Sequence, residues 1–129
     1  NEATETAAIR ALEARGIGPV EKIMAAPDPL DPRRWEIVAQ TPQVYRFGQW
    51  TWLGGGLQLE PASIPRPADT PEWRAARNAP QVQGFMTWAR FPWYAVERTP
   101  TETRVWIQDA RYARRRGLGF GGNLVVLPR

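Results

Sequence analysis

Apolar and polar positions alternate along the chain in short blocks, each ended by proline or glycine. Over residues 2–15, Ala8, Ile9, Ala11 and Leu12 recur at three- and four-residue spacing, so the pattern predicts a helix with one apolar stripe. Thr4 or Thr6 offers an N-cap, Glu2 and Glu5 suit the positive end of the helix dipole, and Gly16 stops it. A polar helix of this length is marginal alone and must dock on something. Residues 20–26 read as a strand, which runs into Pro27-Asp28-Pro29-Leu30-Asp31-Pro32, where the prolines forbid helix and favour a stiff, extended crossing. Residues 34–40 and 44–53 then read as an antiparallel pair joined by Thr41-Pro42-Gln43. Beyond the glycines at 54–56 the pattern predicts a short strand over 57–60 and a proline-punctuated loop over 61–67.

Thr70-Pro71-Glu72 is a helix start: a hydroxyl cap, proline at the first helical position, then an acid. A second helical stretch begins near Pro80, with Val82, Phe85, Met86 and Ala89 on one face, and Pro92 ends it. Residues 93–98 and 104–111 predict another hairpin, through Thr99-Pro100-Thr101-Glu102, and residues 124–127 a closing strand. Helix, strands, helix, strands is the order of an α+β fold: a mainly antiparallel sheet of about six to seven short strands, with an N-terminal helix and one or two central helices packed on it. The length suits one domain spanning residues 1–129. Leu12, Val82, Phe85, Trp88 and Trp106 are the expected core. No internal repeat or low-complexity segment stands out.

Composition narrows the chemistry. Cysteine and histidine are both absent, so zinc sites with sulfur or nitrogen ligands and histidine-based acid–base catalysis are excluded. An oxygen-only magnesium or calcium site stays open. Ser63 is the one serine and has no imidazole to activate it, which removes a serine triad. The formal charge of +4 is too modest to mark a nucleic-acid footprint, and a solvated basic surface accounts for it. No run of 18 apolar residues occurs and no signal peptide is visible. The chain opens without methionine on residues that already read as helix, which suggests a fragment of something longer.

The glycine-rich stretch Arg116-Gly117-Leu118-Gly119-Phe120-Gly121-Gly122 is followed by a strand, whereas a phosphate-cradling loop needs a helix there. It also departs from the aromatic strand of an RNA-recognition motif, since Leu118, Gly121 and Asn123 replace the rings and the valine. A hairpin loop is the better reading. Beside it, Arg114, Arg115 and Arg116 form a basic run equally suited to solvent or to an anionic surface. Asp109 shares a strand face with Val105 and Ile107, and Arg111 follows on that face as its ion-pair partner. Trp50 and Trp52 share another strand face, and most of the seven tryptophans must be core.

Several of these stretches resemble the C-terminal region of the bacterial membrane-bound metal-dependent hydrolase family (inner-membrane hydrolases). They are Ala26-Pro27-Asp28-Pro29-Leu30-Asp31-Pro32-Arg33-Arg34-Trp35, Tyr45-Arg46-Phe47-Gly48, Trp88-Ala89-Arg90-Phe91-Pro92-Trp93, Val96-Glu97 and Asp109-Ala110-Arg111-Tyr112. The resemblance implies a C-terminal fragment of a bacterial inner-membrane protein, itself soluble, on an unspecified side of the membrane. It implies a non-catalytic accessory or interaction domain with no cofactor of its own, any divalent metal sitting in a membrane part outside this sequence. Implied partners are that membrane part, and an anionic membrane surface or a protein. Arg90, Trp93, Arg114, Arg115 and Arg116 are the expected contact surface, with no catalytic, cofactor-binding or metal residues. The rival reading is a nucleic-acid or anionic-surface binding module built on the basic Gly/Arg loop.

Overall fold

A computed structural model describes residues 1–112 and 121–128. The chain divides into two compact units, Asn1–Pro65 and Arg66–Arg129. The α+β class holds: seven antiparallel strands lie in two sheets among the described residues, with an N-terminal helix and short central helices.

The first unit is a helix on a four-stranded meander. Helix α1 (Glu2–Ala14) precedes β1 (Lys22–Pro27), β2 (Arg34–Gln40), β3 (Val44–Thr51) and β4 (Gly56–Pro65), which pair in sequence order. The cap of α1 is Asn1, not Thr4 or Thr6: the Asn1 side chain accepts from the Thr4 amide at 3.2 Å. The helix begins at the second residue, so Thr4 falls within its first turn and is buried. The predicted stripe docks the helix, with Leu12 meeting Ala39 and Leu57, and Ala11, Ile23, Trp50 and Leu59 packing around them. Arg15, at the helix end, adds a 2.7 Å hydrogen bond from Nη2 to the Leu57 carbonyl.

Met24, Val38, Tyr45, Phe47 and Ile64 on the opposite face are buried too. That is why Ile37-Val38-Ala39 is buried continuously instead of alternating with polar residues. The expected loop at 61–67 is instead largely strand, since β4 runs on to Pro65. As the outer strand of its sheet, β4 tolerates prolines that lack an amide donor. The ladder is also irregular there: Arg46 pairs with Ser63 and Gly48 with Leu59, so Pro61 stands in the bulge between them.

Gly48 allows the close approach at this bulge, because a β-carbon on it would lie 2.7 Å from the Gln58 carbonyl oxygen. Gly48→Ala is expected to cost about 1–3 kcal/mol, since backbone on the neighbouring strand must move. A urea midpoint unchanged from the parent protein would show that this contact is not tight.

The second unit has helix α2 (Pro71–Arg77), a 3-10 turn (Pro80–Val82), helix α3 (Gln83–Trp88), and strands β5 (Pro92–Arg98), β6 (Glu102–Asp109) and β7 (Asn123–Pro128). The strands pair in the order β5-β6-β7. Thr70 caps α2 as expected, accepting from the Trp73 amide at 3.1 Å. Trp73, Ala76, Val82, Val105, Ile107 and Val125 form the core, flanked by half-buried Phe85, Met86, Tyr94 and Val96. The Trp73 ring stacks on Tyr94 with centroids 4.7 Å apart. Trp88 is not core but 82% exposed, because α3 ends on it and Ala89 turns the backbone extended. Trp106 is half-buried.

The hairpins β2–β3 and β5–β6 are built alike. Each turns on Thr-Pro, at Thr41-Pro42 and Thr99-Pro100. In each, the threonine amide and hydroxyl donate to the carbonyl three residues on, and the amide of that residue donates back to the hydroxyl. Trp35 opposes Trp50 and Trp93 opposes Gln108, at matching rungs of the two ladders.

Candidate functional site

Of the residues singled out from the sequence, Arg90, Asp109 and Arg111 meet at the end of the second sheet where β5 begins and β6 ends. The ladder sets this meeting point, since Pro92 pairs with Asp109 and the Ala110 amide donates to the Phe91 carbonyl at 2.8 Å. Both Phe91 and Ala110 are fully buried.

Asp109 is the node. Its Oδ2 accepts from the Arg90 amide at 3.0 Å and more weakly from the Phe91 amide at 3.5 Å. Its Oδ1 accepts from the Arg111 amide at 3.0 Å and from Arg111 Nε at 3.1 Å, while Arg111 Nη2 reaches Oδ2 at 3.3 Å. The Asp109 side chain is 2% exposed and that of Arg111 21%. The expected ion pair is therefore present and nearly buried, although not on a shared strand face, since β6 ends at Asp109 and residues 110–112 are helical. A carboxylate engaged on both oxygens by main-chain amides and a guanidinium ties strand ends together.

What faces outward is aromatic and basic. Trp88, two residues before Arg90, and Tyr112, just after Arg111, are both exposed. The Arg111 guanidinium lies 4.9 Å from the Tyr112 ring centroid. Of the expected contact residues, Arg90 is exposed at this end and Trp93 is half-buried on β5 opposite Gln108. Arg114, Arg115 and Arg116 lie outside the described residues, as does most of the glycine-rich stretch they precede. Sequence reasoning missed Trp88 and Tyr112 as surface residues. The signal for Trp88 was its place just before Ala89-Arg90-Phe91-Pro92, a stretch too proline-bound to continue the helix.

Other acids are also engaged with arginines. Glu72 pairs with Arg98 at 2.6 Å, and Arg104 bridges Glu97 and Glu102 at 3.1 and 2.8 Å. Asp31 is held below the usual carboxylate range, first by the hydrogen bond from the Arg33 side chain and then by the Arg33 amide. A lowered folded-state value means that this contribution to stability is present above the ordinary carboxylate pKa and fades as pH falls through the lowered one. Among the described residues no group of three or more Asp or Glu side chains is placed to hold a metal ion, and no helix is long and apolar enough to cross a membrane.

The fold and this site define an α+β protein in which Asp109, the most buried carboxylate among the described residues, is bound by main-chain amides and a guanidinium, with exposed Trp88, Arg90 and Tyr112 nearby in the chain. Comparison with known proteins finds no family model, no curated protein and no solved structure that matches the chain.

Proposed function

We propose that the chain is a non-catalytic accessory domain of a membrane-bound metal-dependent hydrolase, and that it docks on the membrane part of that protein through the Trp88–Arg90–Tyr112 end of its second sheet. The reading starts from the sequence resemblance. The observation that carries it further is that two stretches of the resemblance, Trp88 to Trp93 and Asp109 to Tyr112, are tied together by one buried carboxylate. Tryptophan, tyrosine and arginine are the side chains that dominate protein contacts: the two aromatics are large, amphipathic and limited to two rotatable bonds, and arginine adds a planar guanidinium that stacks and forms paired hydrogen bonds.

On this reading the parent open reading frame encodes hydrophobic spans carrying His and Asp ahead of this sequence, and determining that frame tests it. A frame with no such spans overturns the proposal. The non-catalytic half is checked separately. Adding zinc to the purified chain is expected to leave its melting temperature unchanged, and a saturable rise would reveal a resident metal site.

A further inference from the structure

We propose that Arg46, on the face of the first unit's sheet that α1 covers, binds a small carboxylate ligand. The two Thr-Pro hairpins share more than their turns. Trp35, Val38, Thr41, Pro42 and Arg46 recur, at the same spacing, as Trp93, Val96, Thr99, Pro100 and Arg104. The ladders match as well: Arg46 pairs with Ala39 where Arg104 pairs with Glu97. Val44 and Glu102 also correspond, each closing its turn through its carbonyl. Arg46 and Arg104 thus hold one position in two versions of the same hairpin.

In the second unit that position is filled with carboxylate. Arg104 Nη1 donates to Glu97 Oε1 at 3.1 Å, and Nε donates to Glu102 Oε1 at 2.8 Å, with Nη2 also 2.8 Å from that oxygen. The whole guanidinium fork is engaged. In the first unit both acids are missing, because Ala39 stands in place of Glu97 and Val44 in place of Glu102. Among the described residues, Arg46 Nε is buried and meets no acceptor. Arg104 and Arg111, half-buried like Arg46, each hold a carboxylate. An unmet buried donor is costly, and the equivalent position in the same chain shows the group that relieves it.

Smaller side chains surround Arg46 than surround Arg104. Ala39 and Ser63 flank Arg46 across the two ladders, where Arg104 has Glu97 and Val126. The ligand therefore replaces atoms that the second unit supplies itself. Ala39 is fully buried and Arg46 half-buried under α1, which suits a small molecule better than the bulk of a folded partner. A carboxylate brings one negative charge in a plane that matches the fork, whereas phosphate brings more charge than one half-buried cation offsets. This inference concerns the first unit and stands apart from the accessory-domain reading, which concerns the second.

The test uses the purified full chain, isotope-labelled for NMR and titrated with acetate, succinate, inorganic phosphate and a short aspartate-containing peptide. The Nε–H resonance of Arg46 and the amides of Ala39 and Ser63 report binding. Acetate and succinate are expected to shift these resonances saturably. Arg46→Gln should weaken succinate binding, read on the two amides, by about tenfold or more, since a charge-assisted pair is lost. Its melting temperature should not fall, because Arg46 Nε has no acceptor to lose. Val44→Glu restores the acid that Glu102 provides in the second unit. It should move the Arg46 Nε–H resonance with no ligand added and weaken succinate binding by a similar factor. Absence of a saturable shift with acetate or succinate overturns the proposal, as does unweakened binding by Arg46→Gln. Binding of phosphate in place of the carboxylates overturns it by assigning the site to phosphate. Binding of the peptide alone overturns it by assigning the site to a protein partner. An unmoved Nε–H resonance in Val44→Glu overturns the equivalence with Arg104 on which the proposal stands. The reading-frame experiment and this one fail separately.

Discussion

Asp109→Ala is expected to destabilise the protein by about 3 kcal/mol in urea unfolding. The replacement removes the acceptor for the Arg90 and Arg111 amides and the carboxylate that pairs with the Arg111 guanidinium. Breaking a buried ion pair by removing one member costs about 3–5 kcal/mol. The side chain of Arg111 keeps 21% exposure, so water recovers part of that, and the lower end of the range applies. Asp109→Asn keeps one oxygen for the amides but sets an NH2 group against other donors, and it should recover only a minor share. A double-mutant cycle with Arg111→Ala should show strong coupling, because the loss of either partner already forfeits the pair. If Asp109→Ala shifts stability by less than about 1 kcal/mol, the node does not tie the strand ends and the site loses its framework.

Trp73→Ala should cost about 3–5 kcal/mol, the usual range for deleting a buried aromatic side chain. Trp73 is 5% exposed, stacks on Tyr94 and sits in one core with Val82, Val105, Ile107 and Val125. The side chain projects from α2, a helix of 7 residues that has little stability of its own. Losing the ring therefore removes both core volume and the anchor of that helix. Trp73→Phe should retain more than half of the stability, since a smaller ring can still face Tyr94. Chemical denaturation checks both variants, and a small effect from the alanine variant would mean that α2 docks by other contacts.

Much of the local structure was legible because it depends on neighbours in sequence. The Thr-Pro turns satisfy their own hydrogen bonds within four residues, and Thr70-Pro71 starts a helix wherever it is not overridden. The Asp109–Arg111 pair was expected from a shared strand face, but β6 ends at Asp109 and residues 110–112 are helical, so the pair forms because the chain turns there and brings the Arg111 amide and guanidinium to the carboxylate. Trp88 was misread because the expected helical stripe does not run unbroken from Val82. A 3-10 turn precedes α3, the helix lasts only 6 residues, and Ala89 is already extended. Pro61 was misread as a loop marker because proline forbids pairing in a central strand but not in an outer one.

By itself, then, the sequence determined the kinds of element, their order, the turns between them and the exclusion of imidazole and thiolate chemistry, all set by side-chain identity and short-range spacing. Only the tertiary structure decided that the strands form two sheets instead of one and that the Arg90 amide, far from Asp109 in the chain, meets its carboxylate. It also decided that Leu30 and Leu53 share one sheet end while their apolar surface faces water. These depend on which strands pair and in what register. Register follows from the summed burial of whole faces and not from any residue's local preference.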